Sequence, residues 1–299
     1  MLSTCIIIVT YNRLVLLKEC IEHALKQTYG NNTLLIVDNA STDGTKEYLK
    51  SLDNEKIKIV YEETNLGGAG GFADGVKHAM NDTDADWFLL IDDDAMIDFR
   101  YLEEINNIIN SNKTIKAFSG TVIEHGEIAC AHRRRFKKGE VIVQNTEYNN
   151  EFFNYDISSF CGLLINRFVV EKIGYPNSAF FIWYDDTEYS LRLSKISSII
   201  NVNKAILIHK TNNPKVQSSA EKYEWRKYYG MRNRFYAYSR NGQIIYALKV
   251  MRKDLMKIWT LKKDKKISEH DRQYNKTMIL DSYRDAIIGR LGKNMKYLP

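Results

Sequence analysis

Proline is scarce in these 299 residues. Only Pro176, Pro214 and Pro299 occur, and there is no low-complexity linker or internal repeat. No stretch therefore reads as disordered by composition, and a folded globular chain is expected. Cysteine is equally sparse: Cys5, Cys20, Cys130 and Cys161 are scattered, with no C-x-x-C spacing and no secretory leader ahead of them. Neither a disulfide framework nor a zinc knuckle is indicated, and the thiols read as reduced in a cytoplasmic protein. Long apolar runs are missing as well. The run from Cys5 to Thr10 is too short for a membrane span and lacks a basic leader, so it reads as a buried strand, and no transmembrane helix is expected.

Charge is nearly balanced but unevenly placed. The net charge is +6, whereas residues 240–299 hold 15 Lys and Arg against six Asp and Glu, a net of +9 that leaves −3 for residues 1–239. The length suits one large core with an appendage. The expected division is a catalytic domain over 1–220 and a basic, amphipathic helical extension over 221–299.

What is present alternates. Short apolar runs at Cys5–Val9, Leu34–Val37, Ile57–Val60 and Phe88–Ile91 predict four strands with helices between them. That is the pattern of right-handed βαβ units on a parallel sheet, an α/β fold whose strand-end turns build the ligand site. Ser41, Thr42 and Asp43 are N-cap candidates for the second helix, and the third begins inside a glycine cluster. From Ala117 to Ile165 shorter strand-like runs, including Ala117–Ile123 and Val141–Val143, make this half mixed α/β. Lys222–Arg240 reads as an aromatic-rich helix, with another amphipathic helix from Gln243.

Several strand ends carry chemistry. Asp92, Asp93 and Asp94 follow the fourth apolar run, and adjacent carboxylates repel unless a hard divalent cation offsets them. A solvated acidic turn is the competing reading. The second turn presents Asp38, and the third presents Asn65 followed by Gly67, Gly68, Gly70 and Gly71, which permit positive φ, a close ligand and an anion at a helix start. A mobile turn or a dinucleotide loop would look similar, but the first turn, Thr10-Tyr11-Asn12-Arg13, lacks the glycines a dehydrogenase needs there.

The aromatic run Phe180–Tyr184 delivers Asp185 and Asp186 to a helix start, where free backbone amides would keep them ionised. One could take a hydroxyl proton while the other orients an acceptor, the alternative being helix capping with the aromatics as core. His209 ends the apolar run Ala205–Ile208. Beside the aspartates it would favour Mn²⁺ over Ca²⁺, against a purely structural reading.

In order and spacing, these pieces resemble the inverting glycosyltransferases of family 2 over about residues 3–240, Cys161-Gly162 included. The glycine run 67–72, the triple Asp, and a Trp followed by Asp-Asp-x-Glu-Tyr are similar to the galactofuranosyltransferase branch, although Tyr184 stands between Trp183 and Asp185 where that branch has none. The resemblance implies a GT-A fold, with a nucleotide-sugar-binding domain on a mostly parallel mixed sheet, plus the C-terminal helical extension. It also implies site roles: Asp38 and Asn65 for uridine; Thr10, Tyr11, Arg13, Asp93, Gly67, Gly68 and Gly71 for the rest of the donor; Asp92, Asp94 and His209 for Mn²⁺ or Mg²⁺; Asp186 as the base; and Trp183, Tyr184 and Asp185 for the acceptor. The implied donor is UDP-galactofuranose and the implied acceptor a glycan or lipid-linked sugar.

A rhamnosyltransferase using dTDP-rhamnose is the nearest rival. A two-metal phosphodiesterase or nuclease is disfavoured by the single His and the uridine-type Asp turn, and a dead sugar-nucleotide module by the filled acidic positions. No nucleic-acid partner is expected. The run His132–Arg135 reads as a solvated charged hairpin, the alternative being contact with a lipid pyrophosphate. In the tail, Ile244, Leu248, Met251, Leu255 and Trp259 recur at helical spacing with Lys249, Lys253 and Lys257 roughly opposite. Such a helix either packs on the core or lies on an anionic membrane, which would make the protein peripheral on the inner face of the cell membrane.

Overall fold

The computed structural model describes residues 2–211, 222–263 and 267–298. The four predicted strands are present as β1 (Ser3–Thr10), β2 (Asn31–Asp38), β3 (Ile57–Tyr61) and β4 (Trp87–Asp92), with α1 (Leu14–Leu25), α2 (Thr45–Lys50) and α3 (Gly67–Asp82) in the intervals. β1 lies between β2 and β4, and β3 flanks β2, all parallel. β1 is buried on both faces, which is why it reads as an unbroken apolar run. Alternate residues serve two cores: Ile6, Ile8, Ile36 and Leu89 face one layer, while Ile7, Val9, Val37 and Leu90 face the other.

The chain continues through β5 (Ala95–Ile97), α4 (Tyr101–Ile109), β6 (Ala117–Glu124), β7 (Glu127–Ile128), β8 (Arg133–Phe136), β9 (Glu140–Ile142), β10 (Phe152–Tyr155), β11 (Ile157–Ser158), β12 (Leu163–Asn166), α5 (Arg167–Ile173), α6 (Asp185–Leu193) and β13 (Ile199–His209). The central sheet runs β10-β13-β6-β12-β4-β1-β2-β3, with β5 on β13 and β7 on β6, and a small sheet runs β11-β8-β9. β12 is antiparallel to both neighbours and β13 is parallel to β6, so the sheet is mixed as expected. Two registers matter for the site. Thr10 pairs with Asp38 and Val9 with Asp92, so three turns end at one edge. His209 pairs with Ala95, which places it beside Asp94.

Helices α7 (Arg226–Arg240), α8 (Ile244–Lys263) and α9 (Glu269–Ile287) share an aromatic core with Ile157, Phe181 and Leu191. The expected boundary at 220/221 lies outside the described residues. The anticipated apolar face of α8 is split: Met251 and Leu255 pack inward, whereas Leu248 and Trp259 remain exposed, because the buried side also takes Ala247, Asp254 and Leu261. No helix among the described residues is long and apolar enough to cross a membrane.

Candidate active site

An open cleft of about 850 Å³ lies at the carboxyl edge of the sheet. It is lined by Arg13, Asp92, Asp94 and His209 and by Trp183, Tyr184, Asp185 and Asp186. Residues from β1, β4, β13 and the start of α6 thus converge on one space.

The three aspartates are not equivalent. Asp93 turns toward β1, where Thr10 Oγ1 donates to it at 2.8 Å and Arg13 Nη1 approaches at 3.3 Å. Arg13 also pairs with Asp94. Burial pushes Asp93 up to about 6, against the pull of Arg13, and pushes Asp92 up to about 7, with Asp94 adding to the effect. Burial acts on Asp94 too, but His209 and Arg13 outweigh it and hold this carboxyl below its ordinary range. His209 Nε2 stands 3.1 Å from the buried Asp94 Oδ1 and pairs with it. Burial opposes protonation of His209, yet Asp94, Asp92 and Glu124 raise it to about 9.

Asp92 and His209 offer donors that fit a hard divalent cation. A buried carboxyl pushed up by burial and by its like-charged neighbours, and an imidazole that takes up a proton beside them, are what a cation would relieve. Among the described residues, potential ligand atoms of Asp92, Cys161 and His209 lie within 4.8 Å of one another, and Asp94, expected as a third ligand, is not in that group. Burial pushes the Cys161 thiol well up, so it stays protonated and suits such an ion poorly.

Glu124, at the end of β6, was not singled out by sequence reasoning. Its Oε1 lies 2.7 Å from His209 Nδ1 and 2.9 Å from His132 Nε2, while His132 Nδ1 is 2.7 Å from Ser159 Oγ. A carboxylate only accepts, so both rings present N–H to Glu124, and His132 Nδ1 accepts from Ser159. Hydrogen bonding from His132 and then His209 brings Glu124 down to about 2, despite partial burial. The signal in the sequence was a carboxylate at a strand end, the same one that exposed Asp92.

In the loop before α6, Phe181, Trp183 and Tyr184 all have positive φ, at +66°, +65° and +68°. For non-glycine residues this conformation is costly and needs support. Asn233 of α7 supplies it, donating from Nδ2 to the carbonyls of Phe180, Ile182 and Trp183 at 2.9–3.0 Å, while Arg232 Nη2 donates to Phe180 O at 3.1 Å. Both are essentially fully buried, and neither was anticipated, because their role depends on a loop 50 residues away. Asp186 accepts from the Thr187 amide at the first turn of α6. The expectation that such bonds would dominate is corrected: burial outweighs them, pushing Asp186 up and Asp185 further.

The glycine cluster divides by role. A Cβ on Gly67 would fall 2.0 Å from Phe181 O, and one on Gly71 would fall 2.5 Å from Val9 Cγ1, so these glycines allow close packing. Only Gly68 lines the cleft. Asn65 Oδ1 accepts from the Gly67 amide at 2.8 Å, and Asn39 bonds both Asn65 and Gly67. Asp38 is buried, accepting from the Ser41 amide at 3.0 Å, and Tyr11 is exposed. Asp38 and Asn65 therefore share the sheet edge but lie beyond the cleft lining. The solvated-hairpin reading of His132–Arg135 is overturned. Arg133 is 1% exposed, donating to Asn201 Oδ1, Gly120 O and Cys161 O, and Arg134 lines the cleft, donating to Thr187 Oγ1 at 3.0 Å.

The chain matches the family described as Glycosyl transferase family 2 over residues 5–174. It is similar to the galactofuranosyltransferase GlfT1 of Mycolicibacterium smegmatis, at 26% identity over 198 residues, covering 63% of this chain and 64% of that protein. The match therefore spans just under two thirds of the relative's length. Among solved structures, Staphylococcus aureus TarS residues 1–349 in complex with UDP superimposes with a TM-score of 0.58 at 14% identity, over 95% of this chain and 90% of that one. GalNAc-T7 with UDP, GalNAc and Mn²⁺ gives 0.60 at 14% identity, over 80% and 48%. The fold is thus the GT-A type that the resemblance implied.

Proposed function

Because this chain belongs to glycosyl transferase family 2, we propose that it moves galactofuranose from UDP-galactofuranose to a glycan or lipid-linked acceptor, with inversion at the anomeric carbon. One observation carries the reading: Asp92, Asp94 and His209 line a single cleft together with Asp185 and Asp186. The similarity to a galactofuranosyltransferase favours this sugar, and the UDP bound in both structural neighbours favours a uridine donor.

In this reading Asp38 and Asn65, at the sheet edge beside the cleft, hold the uridine, Thr10, Tyr11 and Asp93 shape the nucleotide side, and Gly67 and Gly71 let the start of α3 pack on Phe181 and Val9 behind it. Gly68 gives the donor a wall without a side chain. Arg13 would turn from Asp93 and Asp94 toward the diphosphate. Asp92, Asp94 and His209 would hold Mn²⁺ or Mg²⁺, which when bound offsets the charge developing on the departing diphosphate. Trp183, Tyr184 and Asp185 orient the acceptor. Asp186 takes the acceptor hydroxyl proton as that oxygen attacks the anomeric carbon, and the carbon–oxygen bond to UDP breaks on the opposite face with its electron pair going to UDP. An α-linked donor then yields a β-galactofuranoside.

The test is a donor panel of UDP-galactofuranose, UDP-galactose, UDP-glucose and dTDP-rhamnose, scored for transfer to a lipid-linked sugar acceptor. Preference for UDP-galactofuranose is expected. Turnover of dTDP-rhamnose alone would instead make the protein a rhamnosyltransferase.

A further inference from the structure

We propose that the outward face of α8 docks on an anionic lipid bilayer and sets the mouth of the catalytic cleft against it. α8 turns Ala247, Asp254 and Leu261 inward, while Ile245, Leu248, Met256 and Trp259 are exposed at 83%, 46%, 57% and 70%. At ~100° per residue these four fall in one stripe about 80° wide. Arg252 lies within the stripe, and Lys249, Lys253 and Lys257 run along one flank. Together they border an open groove of about 960 Å³. The helix's single acidic residue, Asp254, is 2% exposed and paired with Arg234 and Lys257, so the outward face carries no negative charge.

That combination selects among occupants. A second copy seated by two-fold symmetry would bring four cations against their own counterparts. A nucleic acid would pair with the cations and leave the apolar stripe in water. An anionic bilayer satisfies both, taking Ile245, Met256 and Trp259 below the headgroups while the Lys and Arg stems snorkel to the phosphates. Lys257 lines both this groove and the catalytic cleft, so the two adjoin. Docking there would present the cleft at headgroup level, where a lipid-linked acceptor carries its sugar. That last consequence rests on the acceptor proposed above; the docking does not.

The experiment is flotation of the full chain with phosphatidylcholine vesicles, with and without phosphatidylglycerol, at low and at physiological salt. Binding to the anionic vesicles is expected, about tenfold weaker without phosphatidylglycerol and weakened by salt. The double variant Ile245→Glu, Met256→Glu should lose about tenfold or more in vesicle binding. Unchanged melting temperature and donor turnover would show that this variant is folded. A wild-type chain that stays in solution with anionic vesicles at low salt would overturn the proposal, as would a variant that floats like wild type. So would a dimer abolished by Met256→Glu in a chain that ignores vesicles. Donor turnover, read separately, tests the enzymatic reading alone.

Discussion

At the residue scale, Asp186 and Arg134 make a pair with opposing effects. Burial raises Asp186, which suits a base working near neutral pH, while Arg134 pulls it back down. Asp186→Asn should cut transfer by ~10² to 10⁴ and leave donor binding nearly unchanged, measured by transfer kinetics beside UDP titration. Transfer at more than about a tenth of the wild-type rate would move the role to Asp185. Protonation of the base switches transfer off, so the rate falls on the acid side. Removing Arg134 removes a stabiliser of the ionised form, and Arg134→Gln should therefore shift the acid limb of the pH–rate profile to higher pH. A second residue-scale prediction concerns Glu124, whose Oε1 orients the Nδ1–H of His209, so that in the proposed site Nε2 would serve the metal. Glu124→Gln should weaken Mn²⁺ binding by ~10- to 100-fold, read directly by electron paramagnetic resonance titration. His209 holds a proton up to about 9 in the metal-free chain. Metal and proton compete for Nε2, so Mn²⁺ affinity should rise with pH across that range, and a flat pH dependence would exclude His209 as a ligand.

At the scale of elements, the loop 180–184 hangs between two supports, the start of α3 and the middle of α7. Asn233→Ala would orphan the carbonyls of Ile182 and Trp183 beneath a backbone with positive φ, at a cost of about 2 kcal/mol, visible in the denaturation midpoint. Gly67→Ala would force Cβ onto Phe181 O from the other side, at a residue with φ +74°. Both changes should depress transfer more than donor binding, since the loop leads into Asp185 and Asp186. These supports were illegible in the sequence. The strands and their acidic ends show as period and spacing, so β1 to β4, Asp92, Asp94 and His209 were readable. A buried Asn in an aromatic helix has no local signal, and the glycines announced a close approach without saying whether ligand or backbone would make it. The His132–Arg135 run misled because charge usually means solvent, whereas Arg133 is enclosed by carbonyls and Asn201.

On the scale of the whole molecule, the two halves meet at the cleft: strand ends supply Asp92 and His209, and α6 with the C-terminal helices supplies Asp186, Gly230 and Arg234. The amphipathic period of α8 was legible, but its faces were not. A helix can bury Met251 and Leu255 and still show Leu248 and Trp259, and the partner for each side is decided by tertiary packing rather than by period. Chelation should stop transfer, with activity restored by Mn²⁺ or Mg²⁺, and Asp94→Ala should remain inactive at limiting metal. The central claim is a single in-line displacement in which Asp186 serves as the base. The most direct measurement is the anomeric configuration of the product formed from α-linked UDP-galactofuranose, read by NMR. The account predicts a β-galactofuranoside; an α-linked product would contradict it.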